Sequence, residues 1–257
     1  MDKKIEEMFK LTDKIALITG ASRGIGKAVA RALAAQGAVS IVVSRKIQDL
    51  EIVKKEIIDA GGRADAMICN TGDIGQIEEL MQGVEKRYGR LDILINNAAA
   101  NPYFGEMMDA EEWAWDKTND VNLKGPFFMI RSAARLMQKN GGGNIVNVSS
   151  VNGVQPSLFQ GIYSITKAGL ITMTRAWAIE LAKHNIRVNA LLPGLTDTKF
   201  ASAITKNEDI KNLILPRIPM GRIAEPEEMA GAVLFLVSGA SSYTTGSCIT
   251  CDGGMLA

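Results

Sequence analysis

Short apolar strands alternate with amphipathic helical patterns along the whole chain, and this alternation constrains the fold more than any other feature. Strand patterns are predicted near residues 14–19, 39–44, 64–69, 91–95, 144–149, 186–191 and 247–251. Helical patterns lie between them near residues 24–36, 46–60, 73–88, 109–139, 163–183 and 225–238. Strands separated by helices require right-handed crossovers, which place the strands parallel in one sheet. We therefore predict an α/β fold with a doubly wound parallel sheet of about seven strands.

The length and the apolar content of the chain agree with one domain of this kind. The chain has 257 residues, of which 47% are apolar, enough to pack helices against both faces of a sheet. No internal repeat, low-complexity tract or linker divides the sequence. We expect residues 1–257 to form a single domain.

The charge balance argues against several classes of partner. The chain carries 29 basic and 28 acidic residues and no long basic stretch, which is not typical of a nucleic-acid-binding surface. The opening segment M-D-K-K-I-E-E-M-F-K mixes charges and is not expected to act as a secretory signal. No stretch approaches the ~20 apolar residues that cross a bilayer. We expect a cytoplasmic protein with neither a nucleic-acid nor a membrane partner.

A glycine-rich turn, T-G-A-S-R-G-I-G, occupies residues 19–26 between the first predicted strand and the first predicted helix. In such a unit Gly20 supports the tight turn, Gly24 lets a pyrophosphate approach the backbone, and Gly26 permits close packing of helix on strand. The phosphates would lie on free N–H groups at the helix N-terminus. An ordinary connection between a strand and a helix is the alternative interpretation.

Ser150, Tyr163 and Lys167 form the second motif. Tyr163 and Lys167 are four residues apart in a helical pattern, so both side chains project from one face. A tyrosine with its ordinary pKa of about 10 is a poor acid–base catalyst at neutral pH, but a neighbouring ammonium would lower that pKa by roughly 1–3 units. Ser150 ends an apolar strand and can hydrogen-bond a carbonyl or hydroxyl oxygen. The set suits proton transfer to an oxygen, although Y-x-x-x-K spacing also occurs by chance on helices.

With these motifs the chain resembles the classical short-chain dehydrogenase/reductase family over nearly its whole length. The matching segments are T-G-A-S-R-G-I-G, N-N-A-A, D-V-N-L-K-G, N-V-S-S, Y-S-I-T-K, R-V-N-A-L-L-P-G-L-T-D-T, P-E-E-M-A and D-G-G. Ala99 departs from the pattern, because the family usually has glycine after N-N-A. The segments N-A-A-A-N-P-Y-F-G and W-D-K-T-N-D-V-N-L-K are most similar to the NADP-dependent carbonyl reductase branch. The resemblance implies a Rossmann fold and an oxidoreductase.

The resemblance also implies the site. The catalytic set would be Asn122, Ser150, Tyr163 and Lys167, with Asn122 holding a water that links the lysine to solvent. Asn122 could instead mark a structural kink, because N-L-K-G-P disturbs a helix. Lys167 would also bond the nicotinamide ribose, and the region around Thr196 and Thr198 would position the carboxamide. The predicted cofactor-binding residues are Gly20, Ser22, Arg23, Gly24, Ile25, Gly26, Ser44, Arg45, Lys46, Asn70, Thr71, Asn97, Ala98, Tyr163, Lys167, Pro193, Gly194, Thr196 and Thr198.

The end of the second predicted strand indicates which cofactor is preferred. An NAD site typically has an acidic residue there, which hydrogen-bonds the ribose hydroxyls. This strand ends instead in Ser44-Arg45-Lys46, and Arg23 in the glycine turn is a second cation within reach. Two arginines facing a 2′-phosphate favour NADP(H). NAD(H) is not excluded, since Arg45 and Lys46 could simply be a solvated helix entrance. By resemblance Asn70 holds the adenine, whereas Asp73 could be a helix N-cap.

The cysteines and the single histidine point to no metal site and no disulfide scaffold. Cys69, Cys248 and Cys251 are too few for such a scaffold. Cys248 and Cys251 spell C-x-x-C, but residues three apart on a strand face opposite sides. His184 is expected at the surface, and one histidine makes a Ser/His/Asp hydrolase improbable.

The substrate is only broadly indicated. The segment near residues 196–220 resembles the family's variable substrate lid, although it could equally make folding or interface contacts. Further pocket residues are predicted to be Asn101, Pro102, Tyr103, Pro156, Leu158 and Phe159. The mostly apolar set favours a hydrophobic or medium-sized ketone over a small charged acid.

The predicted activity is hydride transfer between NADP(H) and a ketone, aldehyde or secondary alcohol, with tyrosine as general acid/base. The alternatives are a 3-oxoacyl-carrier-protein reductase, an NAD-dependent secondary-alcohol or polyol dehydrogenase, and a non-catalytic NADP-binding protein. Enoyl reduction is disfavoured, because that branch usually spaces its tyrosine and lysine more widely.

The helix that carries Tyr163 is apolar around much of its circumference. One face must cover the sheet, so the surplus predicts burial against a second subunit. The resemblance implies a homo-oligomer, often a tetramer and alternatively a dimer. The apolar residues are Ala168, Leu170, Ile171, Met173, Trp177, Ile179 and Leu181.

Overall fold

The computed structural model describes residues 3–201 and 208–257, with side chains described for residues 4–201 and 211–257, and builds them around one parallel sheet. The strands are β1 Ile15–Thr19, β2 Val39–Ser44, β3 Arg63–Ile68, β4 Ile93–Asn96, β5 Gly143–Val148, β6 Ile186–Pro193 and β7 Cys248–Cys251. Their order in the sheet is β3-β2-β1-β4-β5-β6-β7, and every pairing is parallel. Strands β2 and β3 lie on one side of β1, and β4 to β7 lie on the other, so the strand order reverses between β1 and β4. A crevice opens at this point, at the carboxyl ends of β1 and β4.

Helices cover both faces of the sheet. They are α1 Lys3–Phe9, α2 Gly24–Ala35, α3 Ile47–Asp59, α4 Ile74–Tyr88, α5 Glu112–Asn119, α6 Gly125–Lys139, α7 Gly161–Leu181, α8 Glu208–Ile214 and α9 Ala230–Val237. A π-helical segment, Asp120–Lys124, joins α5 to α6. The result is the predicted Rossmann-like α/β domain.

Two apolar cores lie on opposite faces of the sheet. Adjacent strand residues point to opposite faces, so Leu17 and Ile41 pack with α4 and α6, while Ile18 and Val42 pack with α2 and α9. All four side chains are fully buried, which explains why these strands are continuous apolar runs rather than alternating ones. Each such side chain contributes roughly 1.5–3 kcal/mol of burial free energy.

The predicted strands are confirmed to within two residues at each end, but one helix prediction was wrong. The single helix predicted for residues 109–139 begins at Glu112 and is interrupted by the π-helical segment around Asn122. A Cβ atom on Gly125 would collide with the carbonyl oxygen of Thr71, so the chain approaches the β3 side of the sheet closely here. The interruption lies at the N-L-K-G-P segment that is expected to disturb a helix, and tertiary contacts accompany it.

Two short helices were not predicted from the sequence, and one predicted helix is shorter in the structure. The missed helices are α1, which packs by Met8 against Gly239, and α8, which lies in the predicted lid. Both have only seven residues, too short for a periodic signal. The helix predicted for residues 225–238 starts with a 3-10 turn at Pro226–Met229. Within the described residues no helix is long and apolar enough to span a membrane.

Candidate active site

The glycine turn after β1 has the conformation that its residues predict. Gly20 and Gly24 have positive φ angles of 66° and 55°, a region that side-chain-bearing residues rarely occupy. A Cβ atom on Gly26 would lie 2.5 Å from the carbonyl oxygen of Gly20, so α2 packs directly on the turn. Ser22 and Ile25 complete the turn and are half-buried.

Hydrogen bonds tie this turn to the end of β4. The Asn97 amide nitrogen Nδ2 donates to the carbonyl oxygens of Thr19 and Gly20, at 2.9 and 3.2 Å. The Thr19 hydroxyl accepts from the backbone N–H groups of Asn97 and Ala98, at 2.9 and 3.0 Å. The two strands that border the crevice are thus joined at its floor.

The start of α2 fits a dinucleotide pyrophosphate. Arg23 is the N-cap residue and has an extended backbone, yet its side chain does not cap the first turn. The N–H groups of that turn are therefore left for a ligand, and the helix dipole favours an anion there. The Thr198 methyl carbon Cγ2 would lie 3.0 Å from a Cβ atom on Gly24, so the segment after β6 covers the turn.

Three cations follow the neighbouring strands β1 and β2. Arg23, Arg45 and Lys46 are exposed, and in residues 3–201 and 208–257 none of them is found in an ion pair. Ser44 ends β2, and its carbonyl oxygen accepts from the Cys69 N–H at 3.0 Å. Unpaired positive charge at this edge of the sheet suits a phosphate group of a ligand.

The loop after β3 holds Asn70 and Thr71. The Asn70 Oδ1 accepts from the Gly72 N–H at 3.3 Å, which turns the backbone towards α4. Asp73 caps α4 by accepting from the Gln76 N–H at 3.2 Å, so the N-cap interpretation of Asp73 is confirmed. Thr71 is buried beneath Gly125.

Tyr163 and Lys167 are both buried and share one face of α7. The Lys167 Nζ donates to the Val148 carbonyl oxygen at 2.8 Å and lies 5.5 Å from the centroid of the Tyr163 ring. Burial lowers the pKa of Lys167 to about 7. Its charge therefore changes close to neutral pH.

The predicted direction of the Tyr163 pKa shift was wrong. Burial raises the pKa of Tyr163 to about 12, and a hydrogen bond with Ser150 lowers it by less. The phenolate would lose its hydration in this apolar position, and the buried lysine does not offset that loss. Tyr163 is consequently a protonated phenol at neutral pH.

The two serines at the end of β5 have different surroundings. Ser149 donates its hydroxyl to the Lys167 carbonyl oxygen at 2.8 Å, which attaches α7 to the strand. Ser150 is the residue beside Tyr163, and its Oγ accepts from the Asn152 N–H at 3.1 Å. The hydroxyl hydrogen of Ser150 thus remains available on the Tyr163 side.

Asn122 lies in the π-helical segment and is fully buried. Its Oδ1 accepts from the Ala100 N–H at 2.7 Å, and its Nδ2 donates to the Ala100 carbonyl oxygen at 2.8 Å and to the Thr166 hydroxyl at 3.1 Å. Both amide hydrogens are therefore used, so a water at this position would be held by an oxygen. Asn122 interrupts the helix and also faces α7. A structural kink at this residue is therefore compatible with the predicted role of holding a water.

Sequence reasoning missed the polar residues that support this cluster. Thr166 donates to the Tyr163 carbonyl oxygen at 2.8 Å while accepting from Asn122, which joins the π-helical segment to α7. A second buried chain runs from Asn96 to Asn147 and from Asn147 to Thr174, each at 2.9 Å. Asparagine in an otherwise apolar strand was the available signal, because a buried amide requires partners.

The segment after β6 lies over the site. Pro193 ends β6, and a Cβ atom on Gly194 would lie 2.6 Å from the Cα of Asp252, which fixes the turn that follows. Thr196 is buried and pairs with Ala224 in an isolated bridge. The Phe200 ring centroid is 5.8 Å from that of Tyr163. Residues 202–207 of the predicted lid lie outside the described residues.

The cysteines and the histidine lie outside this cluster. Cys248 and Cys251 lie on β7 as unpaired thiols, and burial raises the pKa of both. Cys69 is buried beside Ser44, and His184 is half-buried in a 3-10 turn after α7. Over the described part of the chain, no group of three histidine, cysteine or acidic residues could hold a metal ion.

Comparison with known proteins agrees with this geometry. A family model described as enoyl-(acyl carrier protein) reductase matches residues 20–256. The chain is 39% identical over 244 residues to human dehydrogenase/reductase SDR family member 4, covering 95% of this chain and 88% of that protein. It is 41% identical over 247 residues to the 3-oxoacyl-(acyl-carrier-protein) reductase FabG of Thermotoga maritima, covering 96% and 99%.

A solved structure extends the likeness to three dimensions. The gluconate 5-dehydrogenase of Burkholderia cenocepacia, in complex with NADP and tartrate, superimposes with a TM-score of 0.94 at 30% identity, covering 98% of each chain. The order of the strands, the glycine turn and the Ser150, Tyr163 and Lys167 cluster therefore occur together in a chain with relatives along nearly its whole length. This chain belongs to the classical short-chain dehydrogenase/reductase family.

Proposed function

We propose that the protein is an NADP(H)-dependent oxidoreductase that interconverts a ketone or aldehyde and the corresponding secondary or primary alcohol. The observation that carries the proposal is the buried cluster of Ser150, Tyr163 and Lys167 at the carboxyl end of β5, in the same sheet as the glycine turn after β1. A protonated phenol, a serine hydroxyl and a lysine that titrates near neutral pH suit proton delivery to an oxygen.

The residues that would hold the dinucleotide are those around the β1–β4 crevice. The uncapped turn at the start of α2 would bind the pyrophosphate, and Lys167 and Thr198 would contact the nicotinamide half. When bound, the nicotinamide supplies or accepts the hydride. Arg23 and Arg45 support NADP(H) over NAD(H), because both are unpaired and exposed where a 2′-phosphate would lie.

Proton transfer would be performed by the protein. Ser150 would donate a hydrogen bond to the substrate oxygen, and Tyr163 would give its phenolic proton to that oxygen during reduction. Lys167 is fixed by the Val148 carbonyl oxygen and could restore the proton, because its pKa is about 7. With a pKa of about 12, Tyr163 is protonated at neutral pH, so it carries the proton that reduction of a carbonyl requires.

Initial rates test the proposal. Purified protein is mixed with NADPH or NADH and with ketones, aldehydes, diketones, steroids and polyols, and the nicotinamide absorbance is followed. We expect oxidation of NADPH with at least one carbonyl compound and a lower kcat/KM with NADH. Tight cofactor binding without turnover on the whole panel would instead indicate a non-catalytic NADP-binding protein.

A second candidate is a 3-oxoacyl-carrier-protein reductase. It is supported by the 41% identity to FabG, which covers 99% of that relative. A 3-oxoacyl group attached to the acyl carrier protein is compared with the same acyl group on a short thiol. A kcat/KM more than about tenfold higher for the protein-bound substrate would favour this candidate.

We also propose a homo-oligomer, a tetramer or a dimer, assembled in part through α7. Leu170, Ile171 and Leu181 face the sheet and are buried, whereas Ile179 is 80% exposed and Ile165 is 44% exposed. Exposed aliphatic side chains on a helix suit burial by a second subunit. Light scattering at micromolar concentration tests this, and a monomeric mass would contradict it.

A further inference from the structure

The two loops that follow β4 and β5 are joined to each other just before α7, the helix that carries Tyr163. The Gly105 N–H donates to the Phe159 carbonyl oxygen at 3.1 Å. The Asn101 amide Nδ2 donates to the Gln160 Oε1 at 3.2 Å. These contacts hold the loop that leads into the Tyr163 helix against the loop that follows Ala100. Ala100 is the residue whose backbone bonds Asn122.

An aromatic pair lies at this junction. The rings of Phe104 and Phe159 are 5.8 Å apart between centroids and tilted by 56°, an arrangement typical of attractive aromatic pairs. Although the rings pack together, Phe104 is 43% exposed and Phe159 is 39% exposed. Each ring therefore keeps a surface that a further group can cover.

Phe159 has an unusual backbone conformation. Its φ angle is 63°, in the left-handed region that bulky residues rarely occupy. The contacts with Gly105 and Phe104 hold it there. Such outliers cluster at ligand sites, where the surrounding structure over-determines one side-chain position.

A further aromatic ring borders Tyr163 itself. The Phe200 ring lies 5.8 Å from the Tyr163 ring and is 49% exposed. Two polar side chains of the joined loops have protein partners, because Asn101 bonds Gln160 and the Tyr103 hydroxyl donates to the Glu106 carbonyl oxygen at 2.6 Å. The exposed Phe104, Phe159 and Phe200 rings thus offer apolar surface to a substrate.

Resting on the proposed function, we propose that Phe104 and Phe159 determine substrate specificity by receiving the aromatic ring of an aryl ketone or aryl aldehyde. The carbonyl oxygen of that substrate is directed to Ser150 and Tyr163. Stacking against a ring selects an aromatic substituent over a saturated ring of the same carbon number. A polyhydroxy acid is disfavoured, because its hydroxyl groups would face apolar surface.

The ratio of kcat/KM for acetophenone to that for cyclohexyl methyl ketone, both with NADPH, tests the proposal. The wild-type ratio is compared with the ratios of Phe104→Leu and Phe159→Leu, which cancels the intrinsic reactivity of the two ketones. We expect each substitution to lower the ratio about two- to tenfold, mainly through the acetophenone value. Met108→Leu is the matched control, because Met108 is 89% exposed and lies on the same loop.

Two further measurements complete the test. One removes the ring without straining the backbone, and the other measures ketone binding without turnover. Phe159→Gly accepts a positive φ, so it removes the ring without forcing the backbone. The two ketones are also titrated into Tyr163→Phe protein, where acetophenone should raise the thermal midpoint more than cyclohexyl methyl ketone does. That difference should disappear when Phe159→Leu is added.

The outcomes separate this inference from the proposed function. An unchanged ratio in Phe104→Leu, Phe159→Leu and Phe159→Gly would overturn the aromatic pair while leaving carbonyl reduction intact. A higher kcat/KM for a polyhydroxy keto acid or a carrier-bound 3-oxoacyl group than for acetophenone would do the same. Failure to turn over any carbonyl compound with either cofactor would overturn the proposed function itself, and the aromatic pair with it.

Discussion

The cofactor side and the substrate side of the crevice are built in different ways. On the cofactor side the glycine turn, Thr19 and Asn97 are connected by hydrogen bonds of 2.9–3.2 Å between adjacent strand ends. On the substrate side the Phe104 and Phe159 rings, from long loops, remain more than a third exposed. Backbone geometry forms the cofactor side, and exposed side chains form the substrate side. From this difference we expect related proteins to share the cofactor and to differ in substrate.

The cofactor side and the substrate side meet at Tyr163. Removing its phenol should therefore affect turnover and cofactor binding differently. We expect Tyr163→Phe to lower kcat about 10²- to 10⁴-fold, because the phenol acts only when oxygen gains or loses a proton. The NADPH dissociation constant should hardly change. Tyr243→Phe is the matched control, since Tyr243 is fully exposed. A Tyr163→Phe enzyme with more than about a tenth of the wild-type rate would refute the assignment.

The cofactor side is tested by reversing one charge. Arg45→Asp should remove an attraction for a 2′-phosphate, add a repulsion and offer an acceptor to an NAD ribose. We expect the NADPH preference, in kcat/KM, to fall by about 10- to 150-fold or to reverse. Arg31→Asp makes the same charge change on the exposed side of α2 and should leave the preference unchanged. Equal use of both cofactors by the wild type would contradict the charge argument.

A test of backbone geometry compares two glycines. Gly26→Ala would place a Cβ atom 2.5 Å from the Gly20 carbonyl oxygen, whereas nothing lies within 4 Å of a Cβ atom on Gly231. We expect Gly26→Ala to lower the free energy of unfolding by about 1–3 kcal/mol and to weaken NADPH binding. Gly231→Ala should be neutral or stabilising by up to about 1 kcal/mol. Equal denaturation midpoints for the two variants would show that the turn is less rigid than described.

The smallest effect is on the pH dependence of stability. The pKa of Lys167 is lowered from an ordinary value of 10.5 to about 7 by folding, so between these values the unfolded chain holds a proton that the folded protein lacks. The free energy of unfolding should therefore rise with pH in this window, by at most about 1.4 kcal/mol per pH unit. Above pH 10 Tyr163 acts in the opposite sense, because its pKa is raised from 10.0 to about 12.

Urea denaturation at about pH 7 and about pH 9 measures this effect. Wild type should gain roughly 1–2 kcal/mol relative to Lys167→Met between the two values. Parallel stability curves would mean that the buried lysine keeps its ordinary pKa. Other titrating groups are common to both proteins, so they cancel in the difference.

Much of the fold and part of the site could be predicted from local sequence. Strands β1 and β2 follow from apolar runs, and the turn around Gly20 and Gly24 follows from residues that tolerate positive φ angles. The four-residue spacing of Tyr163 and Lys167 likewise places both side chains on one helix face. These properties depend on neighbouring residues, and the periodicity of the chain records them directly.

Other properties were decided only when distant segments packed together. Asn122 bonds Thr166, 44 positions away, and this contact joins the interrupted helix to α7 in a way that local sequence does not reveal. The direction of the Tyr163 pKa shift depends on how completely the phenol loses water, which spacing along a helix does not reveal. Sequence by itself therefore determined which residues could share a site. Burial, which is a property of the packed structure, decided their protonation and the contacts that hold them.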